Sequence, residues 1–396
     1  MLPTFSPLKL CRNIPVFGSI KDAKCLRRGW RTCRNFSVSR SSEAFKVLFL
    51  GRDEFSCLVL EQLHAARDVW DEISVVTQPD MKTGRRGSQL SVSPLKLQAQ
   101  QLKLPVHFIP PQRPAFKTWQ PPPPFCIEPG TVPSPNHVII TASFGRILRS
   151  SLLEMFQLGR RLNVHPSLLP AYRGPAPIQH TIIDGQSETG VCVIEMMERK
   201  KGIDAGAIWG RTRVVCFQVP DNAMFPALRN RLAREGGNLL VSVLRDMLAG
   251  KATSISQEDD LSAPRAPMIT GEDAEVDFAT MSAVDIVRRH NALSHQKHIT
   301  TYLKTQRTLQ LHAPSVFDMD LPGASELLPA PGTAIYHLPS ASLLIRCAND
   351  TILMVPQVKQ QDRALLQAKQ WWNGVRADMR MIPDDSSPVQ FVKAAH

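Results

Sequence analysis

The chain has 396 residues and a formal charge of +12 that is unevenly spread. Residues 1–42 hold nine Lys/Arg against one acid, 43–250 hold 24 against 18, and 251–396 hold 14 against 16, so a uniformly basic surface is excluded and much of the charge belongs to the first forty residues. No apolar run is long enough to cross a bilayer, so a soluble chain of two domains and a tail is expected.

The leader places Arg27, Arg28, Arg31, Arg34 and Arg40 among Ser and apolar residues, with Asp22 its one acid. That composition reads as a mitochondrial transit peptide over residues 1–42 and implies a matrix location; a secretory signal lacks its apolar core here, and a basic arm that binds RNA is the alternative. Cys11, Cys25 and Cys33 fall in this leader. Cys57, Cys126, Cys192, Cys216 and Cys347 are scattered, and no pair has metal-ligand or redox spacing. Buried thiols in a reducing compartment, and no metal, are expected.

Lys46 to Leu50 and Gly51 read as a buried strand entering a turn, and Phe55, Leu58, Val59, Gln62 and Leu63 give Glu54–Ala66 helical spacing. A doubly wound α/β domain begins this way, although Gly51 stands alone where a dinucleotide fingerprint needs three spaced glycines. Ile73–Thr77 and Val106–Phe108 are further strands, with a helix from Ser93 to about Leu102 between them, Ser93 as its cap and Pro94 in its first turn. Residues 78–89 carry two glycines and several basic residues but no apolar anchor before Leu90, so a mobile basic loop is expected.

Prolines crowd residues 110–135, which predicts a polyproline-like surface connection and no helix. His137–Ala142 reads as a central strand with Ser143–Arg146 as its exit loop, Ile147–Gln157 as a short helix, and Arg161–His165 as the next strand. Asn163 and His165, two apart on an extended segment, share one face at the carboxyl end of that strand, where open α/β sheets bind ligands. Pro166 and Pro170 fix a turn behind them. A helix over 177–183, a strand over 190–195, the tight loop Gly202-Ile203-Asp204-Ala205-Gly206, a strand over 207–214 and a long helix over 223–249 complete a domain spanning 43–250.

Residues 251–270 read as a linker. Beyond it, Asp277–Lys304 is expected to be mainly helical, and Thr333–His337, Ser342–Cys347 and Thr351–Val355 to be short strands of a small barrel over 271–390. Arg288, Arg289, Lys297, Lys304 and Arg307, and again Lys359, Arg363, Lys369, Arg376 and Arg380, form two basic clusters in this acidic half. Each is either a phosphate-contacting stripe or a solvated face.

Asn163-Val-His-Pro-Ser-Leu-Leu-Pro170, Tyr172-Arg-Gly-Pro175 and the Asp204 loop together resemble the active-site signature of the 10-formyltetrahydrofolate-dependent formyltransferases. The resemblance covers about residues 45–380 and is strongest over 136–210. It implies a Rossmann-like catalytic domain followed by an OB-type β-barrel, with Asn163, His165 and Asp204 around the transferred formyl group. It also implies a folate pocket lined by Ser167, Leu168, Leu169, Pro170, Phe144 and Gly145, where Phe144 stands in place of the usual Tyr. Within that family the methionyl-tRNA formyltransferases have a loop after a Thr-Gln-Pro-Asp run that contacts tRNA. Thr77–Asp80 matches the run, and Lys82, Gly84, Arg85 and Arg86 match the loop. The resemblance therefore implies initiator methionyl-tRNA as partner, 10-formyltetrahydrofolate as co-substrate, no metal and a monomer. The alternatives are a sister enzyme that formylates a small molecule or hydrolyses the formyl donor, and a noncatalytic RNA-binding protein. The proline-rich segment departs from the family's usual crossover helix.

Overall fold

A computed structural model describes residues 44–84, 87–128, 130–212, 222–258, 260–382 and 387–394. The leader, Arg85, Arg86 and Cys216 lie outside the described residues. The amino-terminal domain contains, in chain order, β1 (Phe45–Gly51), α1 (Glu54–Ala65), β2 (Trp70–Thr77), β3 (Met81–Thr83), β4 (Gln89–Ser91), α2 (Pro94–Gln101), β5 (Val106–Phe108) and α3 (Arg113–Phe116). It continues with β6 (His137–Ala142), α4 (Ser150–Leu153), β7 (Arg161–His165), α5 (Pro177–Ile183), β8 (Cys192–Glu195), β9 (Ile208–Arg211) and α6 (Phe225–Leu248).

Seven strands form one sheet in the order β5-β2-β1-β6-β7-β8-β9. The first five are parallel, whereas β7 to β8 and β8 to β9 are antiparallel. Val47, Leu48, Phe49 and Leu50 have no exposed surface, as continuous apolar strands buried on both faces require. Chain order reverses between β1 and β6, so the crevice for a ligand opens beyond the carboxyl ends of those strands. There the Ser143 hydroxyl donates to Asp53, which also caps α1 by accepting from Ser56 N. Burial raises the Asp53 carboxyl above the usual range, against the lowering effect of the Ser143 hydrogen bond.

Several expectations change in detail. The loop expected to be mobile contains the antiparallel hairpin β3/β4, whose six residues are all exposed. Ser93 stands at the N-cap of α2 without capping it; its hydroxyl bonds Arg52 O and Thr77 Oγ1, each at 2.7 Å. The proline-rich arm includes one helical turn, α3, because Pro114 sits in its first turn, where no N–H is needed. Carbonyls of this N–H-poor arm are satisfied by side chains: Arg146 reaches Pro111, Arg149 reaches Lys117 and Trp119, and Gln157 reaches Pro133. Cys192 and Cys347 are buried, but Cys57 is half-buried and Cys126 exposed.

The carboxyl-terminal part contains α7 (Ala283–Leu293), β10 (Thr300–Leu303), β11 (Thr308–His312), β12 (Ser315–Val316), α8 (Ala324–Leu327), β13 (Thr333–His337) and β14 (Ser342–Arg346). It ends with β15 (Ile352–Val355), β16 (Gln357–Gln360), β17 (Leu366–Gln367), α9 (Ala368–Trp372) and β18 (Val389–Val392). The expected helix over 277–304 shrinks to α7, because Thr300–Tyr302 pair with Thr308–Gln310 as a hairpin. All nine strands are antiparallel, in the order β12-β15-β14-β13-β18-β10-β11-β16-β17. One residue, Pro356, separates β15 from β16, yet each is next to last at opposite ends of that row. The row therefore curls around one core, in which Leu353 and Val355 meet Leu309, Leu311 and Val358.

Ser282 and Asp285 close a capping box that starts α7. Where α7 ends, His295 stacks on Phe225 at 3.7 Å, so the exit of α7 is seated on the start of α6. Among the described residues no helix is long and apolar enough to cross a membrane. The basic clusters divide by contact: Arg289 bonds Asp273 O, Lys304 bonds Arg380 O and Arg380 is buried, whereas Lys297, Arg307, Lys359, Arg363, Lys369 and Arg376 are exposed.

Three rings lie near one another, His290 of α7, His298, and His312 of β11, the last two with centroids 4.3 Å apart. Burial pushes His290 down to about 4, and the other two rings add to the effect. The folded form thus holds this ring neutral, while the unfolded chain takes up a proton below the ordinary histidine range. Its contribution to stability is present above about pH 6.5 and falls away toward about pH 4. Urea unfolding followed across that window is expected to show wild-type stability falling with pH, and His290→Leu a shallower slope.

Candidate active site

Register brings the site together. Thr141 on β6 is the direct partner of Asn163 on β7, and His165 is the partner of Cys192 on β8. Asn163 and His165 therefore project from the same face, and Leu162 and Val164 enter the core on the other. The Thr141 hydroxyl donates to Asn163 Oδ1 at 2.8 Å. This fixes the amide orientation and turns Nδ2 toward Asp204, whose Oδ1 lies 3.4 Å away.

Asp204 reaches the cluster from the loop between β8 and β9. Its φ of +55° is left-handed, at a cost of roughly 1 kcal/mol for a residue that is not glycine. Gly206 is required at the exit, because a Cβ there would stand 1.9 Å from Glu195 O. Asp204 Oδ2 accepts the Gly174 amide at 3.0 Å and lies 3.7 Å from His165 Nδ1. The turn after β7 places Tyr172 at φ +61° and aims its carbonyl at His165 Nε2, 3.0 Å away. A carbonyl only accepts, so Nε2 carries the hydrogen. In the neutral ring Nδ1 is then a lone pair facing the carboxylate, and it donates only when the ring is an imidazolium. His165 is 4% exposed.

The structure thus brings Asn163, His165 and Asp204 into one cluster. The residues expected around it differ in setting. Ser167 is buried and its hydroxyl donates to Ala171 O at 2.7 Å, a turn bond; Leu169 packs with Cys192, Ile194 and Ile208, and Leu168 and Pro170 are half-buried. The Phe144 ring is buried against Phe116, so the 143–146 loop offers a ligand its backbone more than that ring. Gly145, at φ +76°, faces Gln78. Lys82 and Gly84 are exposed on the β3/β4 hairpin.

Three contributors were not visible in the sequence: the Thr141 hydroxyl, the Tyr172 carbonyl and the Gln257 amide. Gln257 Nε2 donates to Asp204 O at 2.8 Å and to Gly206 O at 2.7 Å, and its Oε1 accepts from Arg173. A strand register and a contact 53 residues distant leave no local signal. Arg173, 6% exposed, braces this loop from within.

Chemically, the cluster offers an amide N–H donor, an imidazole that can donate from Nδ1 once protonated, and a carboxylate able to take a proton. It suits attack by an amine on a neutral carbonyl. Among the described residues no group of His, Cys, Asp and Glu is arranged to hold a metal ion.

A family model described as Formyl transferase matches residues 45–244, and one described as Formyl transferase, C-terminal domain, matches 268–376. The mitochondrial methionyl-tRNA formyltransferase of Homo sapiens is 31% identical over 336 residues, covering 82% of this chain and 77% of the human protein. The methionyl-tRNA formyltransferase of Syntrophus aciditrophicus is 36% identical over 277 residues, covering 70% of this chain and 81% of its own. In fold, the chain is similar to an N-formyltransferase of Helicobacter canadensis solved with folinic acid and dTDP-3-aminofucose. The TM-score is 0.51 at 14% identity, over 78% of this chain and 98% of that one. HypX of Aquifex aeolicus, solved with tetrahydrofolic acid, gives 0.51 at 15% identity over 86% of this chain and 48% of its own.

Thr141→Val removes one hydrogen bond that orients Asn163. Steady-state kinetics are expected to show kcat about fivefold lower, equivalent to roughly 1 kcal/mol, with Thr141→Ser close to wild type.

Proposed function

The chain belongs to the formyltransferase family, and from that membership we propose that it transfers the formyl group of 10-formyltetrahydrofolate to the α-amino group of methionyl-tRNA, giving formylmethionyl-tRNA for mitochondrial translation initiation. The observation that carries this reading is the convergence of Asn163, His165 and Asp204 within one cluster, in a chain similar to methionyl-tRNA formyltransferases through both of its domains.

The reaction follows from the donor set. Attack by the amine on the formamide carbon leaves negative charge on oxygen and positive charge on nitrogen. Asn163 Nδ2, held outward by Thr141, donates to the oxygen. His165, whose Nδ1 lies 3.7 Å from the carboxylate, joins it from Nδ1 when the ring carries a second proton. Asp204 takes the proton from the amine nitrogen, directly or through a water, and returns it to the folate nitrogen as the C=O re-forms and the bond from carbon to folate nitrogen breaks. No covalent enzyme intermediate is required, and Ser167, bonded to Ala171 O, is no nucleophile.

The folate is received between the 143–146 loop and the Asp204 loop, with Ser167 to Pro170 behind it. Transfer RNA is gripped by the 78–89 loop, with Lys82, Gly84, Arg85 and Arg86, and by exposed basic residues of the carboxyl-terminal domain such as Arg307, Lys359 and Arg363. Domain limits follow: a leader over 1–42 that directs the chain to the mitochondrial matrix, a catalytic domain over 43–250, a connection over 251–270 and a tRNA-binding domain over 271–390. The protein acts as a monomer. The composition of the leader and the likeness to a human mitochondrial enzyme support the location.

Two variants test the reading. Asp204→Asn is expected to retain tRNA binding while formyl transfer falls by about 100- to 10,000-fold, the usual contribution of a positioned base; unchanged turnover removes Asp204 from the mechanism. Arg85→Ala is expected to raise KM for methionyl-tRNA and leave that for the folate unchanged; equal effects on both substrates return the loop to a solvated surface.

A further inference from the structure

The stretch joining the two domains does more than span them. Ile255 exchanges both backbone hydrogen bonds with Ile208 on the edge strand β9, at 2.8 and 2.9 Å. Farther on, Pro264 O accepts the Tyr172 amide, Ala266 N donates to Arg173 O, and Ala266 O accepts from Ala176 N. The approach at Gly174 is so close that a Cβ there would lie 2.3 Å from Ala266 O. At its described contact points the connection is therefore a strap laid against the two loops that build the cluster, 170–176 and 202–206.

Gln257 lies two residues beyond Ile255 and is the one described side chain of residues 251–270 that bonds the Asp204 loop. Its orientation is unambiguous: two carbonyl oxygens on one side require Nε2, and the Arg173 guanidinium on the other requires Oε1. The two carbonyls it holds belong to Asp204 itself and to Gly206. They follow directly on a backbone turned to φ +55° at Asp204, a conformation that relaxes unless its surroundings impose it. The Gly174 amide fixes the carboxylate, and Gln257 fixes the peptide units behind it.

We propose that Gln257 is a positioning residue for formyl transfer: its amide N–H groups hold the Asp204 loop in the left-handed turn that aims the carboxylate at His165. The inference rests on the reading of Asp204 as proton acceptor. It makes the connection between the domains a working part of the active site, so the carboxyl-terminal domain is tethered through the residue that sets catalytic geometry.

Two full-length variants separate positioning from bracing. Gln257→Glu keeps the size of the side chain and its contact with Arg173 but presents oxygen, not N–H, to the two carbonyls. Gln257→Met removes both contacts. If the N–H groups position Asp204, both variants lose about 100-fold in kcat, the usual effect of misplacing a reacting group by an ångström, while KM for folate and for methionyl-tRNA stays within about twofold. Both variants stay fully folded under the assay conditions, as urea titration checks. Wild-type kcat in Gln257→Glu, a loss carried by KM alone, or a loss that tracks unfolding in both variants overturns the proposal. Asp204→Asn assayed alongside distinguishes the two levels. Full activity in that variant removes the reading of Asp204, whereas its inactivity beside an active Gln257→Glu removes only the role of Gln257.

Discussion

A slip of one residue in the pairing of β6 with β7 would send Asn163 and His165 through the sheet to its opposite face, and no site would remain. What prevents the slip is burial. Leu162 and Val164 enter the main core with Val138 and Ile140, and a shifted register would exchange them for an amide and an imidazole. The register that satisfies the core also sets Thr141 directly beside Asn163, where its hydroxyl orients the amide. Stability and chemistry are here set by the same strand pairing.

The cluster then depends on backbone that the sheet cannot supply. Asp204 and Tyr172 both adopt left-handed φ values, and each is tied by hydrogen bonds from outside its own loop: Asp204 by Gly174 and Gln257, Tyr172 by Pro264. Each bond contributes on the order of 1 kcal/mol, comparable with the cost of the conformation it holds. Local strain is thus offset by contacts from 30 to 92 residues away in sequence, the longest being Tyr172 N to Pro264 O. The folded domain carries the site as a property of the whole edge of the sheet.

This division explains what could be read beforehand. Apolar runs such as Lys46–Leu50 and His137–Ala142, and the spacing Asn163-x-His165 at a strand end, report burial and periodicity, which are local, and the parallel sheet and the cluster follow from them. The resemblance to formyltransferases supplied Asp204, whose glycine-flanked loop otherwise signals only a turn. Thr141 and Gln257 carry no such mark, because their roles arise from register and from the return of the chain along β9. The helix expected over 277–304 gave way to the β10/β11 hairpin for a related reason: Ile299, Thr300 and Thr301 gain more from cross-strand pairing and burial than from their weak helical preference.

The central claim is that an amide, an imidazole and a carboxylate surround one carbonyl carbon. A crystal structure of the protein with a formyl-folate analogue that cannot release its formyl group tests it most directly. The account requires the formyl oxygen within hydrogen-bonding distance of Asn163 Nδ2 and His165 Nδ1, with the Asp204 carboxylate facing the side from which an amine would approach. An analogue seated in the sheet crevice with its formyl group turned away from all three would contradict it.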